Sequence, residues 1–286
     1  MRIGFLGYGE AACAFHEGLA RPGLAVCAHD RLLCGEAGDA MRATMRRQGA
    51  EIAETVAELA SCDWIFSAVT ADQSFAAVEA LAPALRQGQV VIDINSVSPE
   101  RKQQTAALVM AKSAEYLDMA VMAPVYPKKH ATPVLIAGPM AAALLEPLTA
   151  LGFSVEIAGE AVGAATAIKM VRSLFVKGLE AITVEALLAA EASGCCEAVY
   201  ASLSASFPGL GWPEFAHYQL ERTLRHGHRR AAEMEESAAT LFQLHLAGGL
   251  AKAIADVQRQ MGECGPQQQG EDLRATLKAV LARRGV

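Results

Sequence analysis

The feature that most constrains the fold is a run of small residues directly after the first apolar segment. Arg2 to Leu6 is short, apolar and β-rich, and it leads into Gly7-Tyr8-Gly9-Glu10-Ala11-Ala12. The two glycines permit a tight turn and a close approach of the backbone to a bound group, and Ala12 permits close packing of a helix on a strand. A helix that opens at Glu10 offers unpaired N–H groups and a positive dipole end to an anion.

The acidic residue that accompanies such a motif follows at the expected distance. Ala25 to Asp30 is predicted to be the second strand, and Asp30 ends it about 20 residues after the glycines. A carboxylate at this place accepts hydrogen bonds from an adenosine ribose, so the motif predicts a dinucleotide-binding Rossmann domain. Asp30 favours NAD because its charge repels a 2′-phosphate, whereas Arg31 could pair with that phosphate in NADP. The alternative interpretation is a structural turn that binds no cofactor.

Short apolar runs alternate with helical patterns up to about residue 160. This alternation predicts an α/β domain with a mostly parallel, doubly wound sheet that is covered on both faces. The later predicted strands are near Glu51 to Ala53, Trp64 to Val69, Gln89 to Ile94, Tyr116 to Val121, Val134 to Ala137 and Ser154 to Ile157. The predicted helices are Glu10 to Ala20, Glu36 to Gln48, Asp72 to Leu85 and one that starts at Pro99.

Beyond Gly159 the alternation stops and the pattern is helical. Ala161 to Ala192 predicts one long interdomain helix, with Gly194 as its C-terminal stop. The helices that follow are predicted to be broken at Pro208 to Gly211, at Gly248-Gly249 and at Gly262 to Gly270. The sequence therefore predicts a Rossmann domain over residues 1–160 and an all-α domain for substrate binding and dimerisation over residues 161–286.

The predicted cofactor contacts lie at the carboxyl ends of neighbouring strands, where ligands of such sheets bind. The turn Val69-Thr70 is a second candidate contact after the glycine loop, and Asn95, Ser96 and Ser98 follow the next strand. Ser98-Pro99 also fits a helix cap with proline at the first helical position, and we favour the cap for Ser98. The predicted cofactor set is Gly7, Tyr8, Gly9, Glu10, Ala11, Asp30, Arg31, Val69, Thr70 and Asn95.

Lys169, in the first turns of the predicted long helix, is the candidate catalytic residue. The helix has a polar stripe and an apolar face here. The stripe is Lys169, Arg172, Ser173 and Lys177, and the apolar face is Ile168, Val171, Leu174 and Phe175. Neighbouring cations lower the pKa of a lysine ammonium, and the first turns are expected at the cleft beyond the strands, so Lys169 suits general acid–base chemistry. The alternative is a solvated lysine on an amphipathic helix.

These motifs resemble the β-hydroxyacid dehydrogenase family, which includes 3-hydroxyisobutyrate and 6-phosphogluconate dehydrogenases. The resemblance lies in the glycine loop and in Gly159 to Lys169, and it covers nearly the whole chain. A branch with an uncharacterised conserved C-terminal domain is most similar, on the segments Gly9 to Ala12, Lys169 to Ser173 and His226 to Met234. The resemblance implies that Lys169 is the acid/base, that NAD or NADP is the cofactor, and that the substrate is a small 3-hydroxy acid.

Three positions depart from the pattern of that family. Ser173 stands where the family has an asparagine four residues after the lysine, and Met122 stands where its substrate loop has a serine. Ala232 precedes Glu233-Met234 where the family has a lysine before Asp-Leu. These differences leave hydride transfer as the expected chemistry, and they put the family's usual substrates in doubt.

A row of cations could replace the missing substrate contacts. The row follows helical spacing and comprises Arg222, His226, Arg229 and Glu233, with Arg225 and Arg230 adjacent. Such a row could hold a carboxylate or phosphate, since arginine binds either in a bidentate manner. Its alternative is a solvated helix face paired with glutamates. The predicted substrate residues are Ser96, Met122, Arg172, Ser173, His226 and Arg229.

Composition limits the partners and the compartment. A formal net charge of −6 argues against nucleic acid, because phosphate binding requires a positive excess. Charged residues interrupt the longest Ala-rich stretch, and no secretory signal pattern is visible, so neither a membrane span nor export is expected. Seven scattered cysteines form no metal-type CxxC pair, which predicts a reduced cytoplasmic compartment and no metal site. Ala-rich helices with apolar residues on more than one face predict a homodimer.

The sequence thus predicts an NAD(P)-dependent oxidoreductase of the dehydrogenase type that acts on an anionic small molecule. It would transfer hydride between the nicotinamide and the hydroxyl-bearing carbon of a small acid, with Lys169 as acid/base. One alternative is an imine reductase on the same fold, although such enzymes generally lack the lysine. The other is a dinucleotide-binding sensor or scaffold without turnover.

Overall fold

The structure, a computed structural model, describes residues 1–20, 23–265 and 272–285. Residues 266–270 of the predicted break at Gly262 to Gly270 lie outside this range. The chain divides into two compact units, Met1–Met170 and Val171–Val286. The predicted division at residue 160 is the point where the sequence pattern changes from alternating strands and helices to helices. The division of the structure at residue 170 assigns the first turns of the long helix to the same unit as the sheet. The boundary at 160 therefore stays a prediction.

The first unit contains a mostly parallel sheet, as the strand pattern predicts. Its strands in the described residues are β1 (Arg2–Leu6), β2 (Ala25–His29), β3 (Glu51–Ile52), β4 (Trp64–Ser67), β5 (Val90–Asp93), β6 (Glu115–Val121), β7 (Val134–Ala137) and β8 (Val155–Gly159). Their order is β3-β2-β1-β4-β5-β6-β7-β8. β7 is antiparallel to β6 and parallel to β8, and the other neighbouring pairs are parallel. The prediction of a doubly wound α/β domain is confirmed.

Helices cover both faces of this sheet because alternate side chains of each strand point to opposite sides. The helices are α1 (Glu10–Leu19), α2 (Gly38–Arg47), α3 (Ser74–Leu81), α4 (Pro99–Met110) and α5 (Ala141–Ala150). Phe66 and Ile92 belong to one apolar cluster, and their neighbours Ile65 and Val91 belong to another. β4 and β5 are therefore buried on both faces, which explains their continuous apolar sequence.

The second unit is helical in its described residues. The long helix α6 (Ala164–Ala192) begins in the first unit and continues into the second. The remaining helices are α7 (Cys196–Ser206), α8 (Glu214–Gln243), α9 (Gly249–Cys264) and α10 (Leu273–Arg284). α8 and α9 cross in backbone contact, because a Cβ at Gly227 would lie 2.2 Å from the carbonyl oxygen of Gln258 and one at Gly262 would lie 2.7 Å from the backbone nitrogen of His228.

Part of the predicted polar stripe of α6 is buried, whereas its Arg172 is exposed. Glu180, one turn beyond Lys177, is buried as well. Ser173, Lys177 and Glu180 are at most 7% exposed, whereas Phe175 is 74% exposed and Ile182 is 68% exposed. Buried polar side chains beside exposed apolar ones are unusual for an amphipathic helix. Lys177 and Glu180 contact Glu233 and Arg230 of α8, so their burial is compensated by charge pairing.

The described part of the chain has neither a membrane-spanning helix nor a cluster of metal-binding side chains. None of its helices has a stretch that is both long and apolar enough to cross a membrane. Nor do three His, Cys, Asp or Glu side chains there come together in a group that could hold a metal ion.

Candidate active site

The two glycines of the loop after β1 have different structural tasks. Gly7 has a positive φ of +88°, and a Cβ there would lie 2.6 Å from the carbonyl oxygen of Ala68, so this position requires glycine for the fold itself. Gly9 is the N-cap residue of α1, and a Cβ added to it would meet no heavy atom within 4 Å. Space is therefore open beside Gly9, where the first N–H groups of α1 point.

Asp30 links the glycine loop to the turn after β2. Its Oδ2 accepts a hydrogen bond of 2.8 Å from the backbone N–H of Tyr8, and its Oδ1 accepts one of 2.9 Å from Leu32. Each carboxylate oxygen has a second lone-pair site, so Asp30 can still accept a ribose hydroxyl. Arg31 is exposed beside it. The open space at Gly9, the start of α1 and the position of Asp30 fit a dinucleotide.

Tyr8 differs from the other predicted cofactor residues, because its side chain is 1% exposed. Its hydroxyl group hydrogen-bonds His16 and Gln48, and burial raises the pKa of Tyr8. The ring is therefore part of the core, and Tyr8 can serve a ligand only through its backbone. Glu10 is exposed and Ala11 is half-buried at the start of α1.

The side chain of Asn95 supports the Val69-Thr70 turn, the second candidate for a cofactor contact. Its Oδ1 accepts a hydrogen bond of 2.8 Å from the backbone N–H of Val69, and its Nδ2 donates one of 2.9 Å to the hydroxyl of Ser67. Asn95 is 4% exposed, whereas Thr70 is exposed. The structure thus makes Asn95 a support for the Val69-Thr70 turn, and direct contact of its side chain with a cofactor stays a prediction.

The two substrate candidates of the first unit lie at the same edge of the sheet. Ser96 follows β5 and Met122 follows β6, and both are half-buried. Met122 packs against the small cluster that includes Ala165 of α6. Ser98 is the N-cap residue of α4 with Pro99 at the first helical position, as the cap interpretation predicts.

A buried polar network lies directly below this edge, and the sequence analysis missed it. Lys102 of α4 is fully buried, with its Nζ 3.0 Å from Oδ1 of Asp93 and 3.4 Å from Oδ1 of Asp118. The Tyr116 hydroxyl donates a hydrogen bond of 2.7 Å to Oδ2 of Asp93. Burial raises the pKa values of Tyr116 and Asp118, although Lys102 opposes the increase at Asp118. The available signal was an aspartate within each of two apolar strands.

The first turn of α6 is anchored on this network. Oδ2 of Asp118 accepts hydrogen bonds of 3.1 Å from the backbone N–H groups of Gly163 and Thr166. The Thr166 hydroxyl donates one of 2.8 Å to the carbonyl oxygen of Val97, in the loop after β5. Lys169 follows Thr166 by three residues and is half-buried, whereas Ile168 is exposed. Residues three apart share a helix face, so Lys169 lies on the side of α6 that Thr166 presents to that loop.

The structure does not bring Ser173 and His226 together within the second unit. Lys177 contacts Glu233 and Glu180 contacts Arg230, so α6 and α8 are antiparallel. From the Lys177–Glu233 level, Ser173 and His226 therefore lie in opposite directions, which separates them by about 16 Å along the helices at about 1.5 Å per residue. A common substrate site for these two residues within one copy of this unit has no support from this geometry.

The cations of the predicted row already contact other side chains. Arg225 pairs with Glu221 at 2.8 Å, Arg229 approaches Glu233 at 4.0 Å, and Arg222 lies over the ring of Tyr218. These contacts agree with the alternative of a solvated face paired with glutamates. Burial, followed by the charges of the surrounding arginines, lowers the pKa of His226 to about 4. Arg172, the remaining substrate candidate, is exposed.

Two parts of the chain match the models of known protein families. Residues 2–151 match the NAD binding domain of 6-phosphogluconate dehydrogenase, and residues 190–261 match a domain of unknown function (DUF1932). The chain belongs to the family that has this NAD-binding domain, as the resemblance of its motifs predicts. Its fold is that of an NAD-binding protein of the hydroxyacid dehydrogenase type.

Solved structures give the same result. A conserved hypothetical protein from Sinorhizobium meliloti 1021 is 34% identical, with 99% of this chain and 96% of that chain covered and a TM-score of 0.76. A conserved protein of unknown function, MTH1747, described as similar to 3-hydroxyacid dehydrogenases, is 26% identical, with 97% and 99% covered and a TM-score of 0.71. The 3-hydroxyisobutyrate dehydrogenase of Mycobacterium tuberculosis shares the fold at 15% identity, with 98% of both chains covered and a TM-score of 0.72.

Imine reductases have a related fold. The enzyme from Bacillus cereus BAG3X2 is 17% identical, with 91% of this chain and 92% of that chain covered and a TM-score of 0.57. At such identity the likeness concerns the fold alone. The reaction must therefore be argued from the side chains of this chain.

Proposed function

We propose that the protein is an NAD(P)-dependent oxidoreductase that acts on the hydroxyl-bearing carbon of a small acid, with Lys169 as general acid/base. The observation that carries the proposal is the anchoring of α6. Asp118 of β6 and the carbonyl oxygen of Val97, in the loop after β5, hold Thr166 in the first turn of this helix, at the edge of the sheet where the glycine loop also ends. Lys169 lies one turn further along the same face.

The chemistry follows from a proton that must move with the hydride. When bound, the nicotinamide ring supplies or takes up the hydride. In the oxidation direction the neutral amine of Lys169 accepts the proton of the substrate hydroxyl, and in reduction its ammonium returns that proton to the carbonyl oxygen. Asn95 keeps the Val69-Thr70 turn in place, this turn would contact the cofactor, and Ser96 would offer a hydroxyl group to the substrate.

Binding of the anionic end of the substrate is proposed for the remaining candidates. Arg172 is exposed and could pair with a carboxylate, whereas Ser173 is buried and its hydroxyl accepts a hydrogen bond of 3.2 Å from Lys177. The Ser173 hydroxyl keeps its own O–H donor while it accepts this bond, so it could still donate to a substrate carboxylate. Arg229 would bind a carboxylate or phosphate in competition with its 4.0 Å approach to Glu233, and His226 would contribute from the same helix.

Turnover assays separate this proposal from its alternatives. The absorbance of the reduced nicotinamide is followed with NAD and NADP against a panel of 3-hydroxy acids and a panel of cyclic imines. We expect turnover with a hydroxy acid, its loss in Lys169→Ala, and no loss in Lys112→Ala, which removes an exposed lysine in the turn after α4. Turnover of imines that survives Lys169→Ala would indicate the imine reductase. Cofactor binding without turnover on either panel would indicate a sensor.

We further propose that the partner of the second unit is another copy of the chain. The apolar face of α6 exposes Val171, Phe175 and Ile182 at heptad-like spacing, a pattern that packs on a symmetry-related helix. Phe175→Glu should convert a dimer into a monomer in sedimentation experiments. Met110→Glu, at another exposed apolar side chain, should leave the dimer intact. A wild-type monomer at micromolar concentration would refute this part of the proposal.

A further inference from the structure

We infer that Lys102 is a positioning residue. Its ammonium group lies between two buried aspartates, and through them it fixes the positions of both Lys169 and the Val69-Thr70 turn. The inference rests on the proposed function, because it concerns the same site. It adds a residue that touches neither cofactor nor substrate. A continuous series of hydrogen bonds and ion pairs carries it, from the first turn of α6 to the turn after β4.

The first half of this series connects Lys102 with α6. Asp118 accepts the N–H groups of Gly163 and Thr166 with Oδ2, while its Oδ1 lies 3.4 Å from Nζ of Lys102. Asp118 is fully buried, so its charge is stabilised by the helix N-terminus on one side and by the ammonium group on the other. The direction in which α6 leaves the sheet therefore depends on Asp118 being ionised.

The second half connects Lys102 with the cofactor turn. Its Nζ lies 3.0 Å from Oδ1 of Asp93 and donates to the carbonyl oxygen of Asp93 at 2.5 Å. The same Oδ1 accepts a hydrogen bond of 2.8 Å from the backbone N–H of Asn95. The side chain of Asn95 in turn accepts the N–H of Val69. One ammonium group thus fixes the residue that supports the turn.

The charges of the buried cluster show why its hydrogen bonds depend on Lys102. Asp93 and Asp118 are 0% exposed, and the ammonium group of Lys102 contacts both carboxylates. Without it, two carboxylates would remain buried close together, and one of them would take up a proton. The tyrosine beside them, Tyr116, donates to Asp93 and cannot replace a cation. A protonated Asp118 is a poorer acceptor, so the first turn of α6 would loosen and Lys169 would move with it.

The test compares Lys102→Met with Val109→Ala, which removes two methyl groups from the fully buried side of the same helix. Three quantities are measured on the full chain: the thermal midpoint at pH 5 and pH 8, the Kd for NAD+ or NADP+ by calorimetry, and the rate at which acetic anhydride labels Lys169, by peptide mass spectrometry. None of them requires a substrate. Labelling of Lys169 relative to exposed Lys112 corrects for general loosening.

For Lys102→Met we expect a loss of thermal stability that is larger at pH 8 than at pH 5. The sign follows because a buried carboxyl with a raised pKa binds its proton in the folded state, so stability falls as the pH rises through that pKa. We also expect a Kd that is raised about fivefold to tenfold and Lys169 labelling that is accelerated at least threefold. Val109→Ala should lower the thermal midpoint equally at both pH values and leave the other quantities unchanged.

Two results would overturn the inference. One is a Lys102→Met protein with wild-type Kd and wild-type Lys169 labelling; the other is a Val109→Ala protein that changes both as much as Lys102→Met does. Should Lys102→Met fail to fold, Asp118→Asn keeps the shape and removes one charge. It must then accelerate the labelling of Lys169, and an unchanged rate would refute the inference. A wild-type protein that binds no dinucleotide would refute the proposed function instead, and the labelling comparison would still decide the role of Lys102.

Discussion

The two units each contain a buried cation paired with carboxylates, and the pairs differ in what they hold. In the first unit, Lys102 contacts Asp93 and Asp118, whose other partners include backbone N–H groups of a loop and of a helix start. In the second unit, Arg230 pairs with Glu180, and Gln258 donates to the same carboxylate at 3.0 Å.

This difference indicates which of the two pairs serves a site. The Arg230 pair joins the side chains of α6, α8 and α9, and charge is balanced within it. The Lys102 cluster has two carboxylates for one ammonium group. Its carboxylates hydrogen-bond the backbone of the segments that would bind a ligand. A buried ion pair that joins helices by their side chains contributes to packing, whereas one that holds backbone N–H groups fixes the position of loops.

The largest expected effect tests whether the Arg230–Glu180 pair contributes to packing alone. Arg230→Met should lower the free energy of unfolding by about 3–5 kcal/mol, because it leaves Glu180 buried without its charge partner. The dinucleotide Kd should stay unchanged. Urea denaturation and calorimetry measure the two quantities. Arg229→Met, at the exposed neighbouring position, is the control and should cost less than about 0.5 kcal/mol. A dinucleotide Kd that changes in Arg230→Met and not in Arg229→Met would contradict a role in packing alone for this ion pair.

The next effect concerns the glycine loop of the first unit. Gly9→Val should raise the dinucleotide Kd about a hundredfold, or about 2.7 kcal/mol, because the side chain fills the space beside the start of α1. The thermal midpoint should fall less than in Gly7→Ala, since a Cβ at Gly9 meets nothing within 4 Å. Gly7→Ala should lower stability as well, because its Cβ would meet the backbone of Ala68. Equal thermal losses in the two variants would contradict this assignment.

The smallest effect is a pH dependence in the second unit. The pKa of His226 is lowered to about 4, so between about pH 6.5 and pH 4 the unfolded chain binds a proton that the folded chain does not. Stability should therefore fall as the pH drops through this range, by about 1 kcal/mol or less because the side chain is partly exposed. His226→Gln should flatten the dependence, measured as urea midpoints at pH 7 and pH 5. His16, whose pKa is also lowered by burial, contributes equally to both proteins.

Much of the first unit could be predicted from the sequence because its signals are local. Gly7, Gly9 and Asp30 lie at fixed distances along the chain, and the buried strands are continuous apolar runs. The helix at Pro99 was predicted from its cap, and β7 and β8 from their apolar residues. The antiparallel direction of β7 has no comparable local signal, because it depends on how the chain returns to the sheet.

The polar contacts were not predictable in the same way. Lys102 lies among polar residues of α4, a pattern typical of a solvated helix face, and its burial depends on aspartates of two strands. Likewise, Ser173, Lys177 and Glu180 are buried polar side chains on a helix whose pattern is also typical of a solvated face. Their partners, such as Arg230, are about 50 residues further along the chain, as the separation of the Arg230–Glu180 contact shows. Such tertiary contacts override local preference.

The most direct test of the proton-transfer role is chemical rescue of Lys169→Ala by added primary amines, once a hydroxy acid substrate is in hand. We expect the variant to bind the dinucleotide with the wild-type Kd and to lose turnover by about 10²–10⁴-fold. Methylamine or ethylamine should restore part of the rate in proportion to its concentration. Turnover of Lys169→Ala at the wild-type rate, unaffected by amines, would contradict the account.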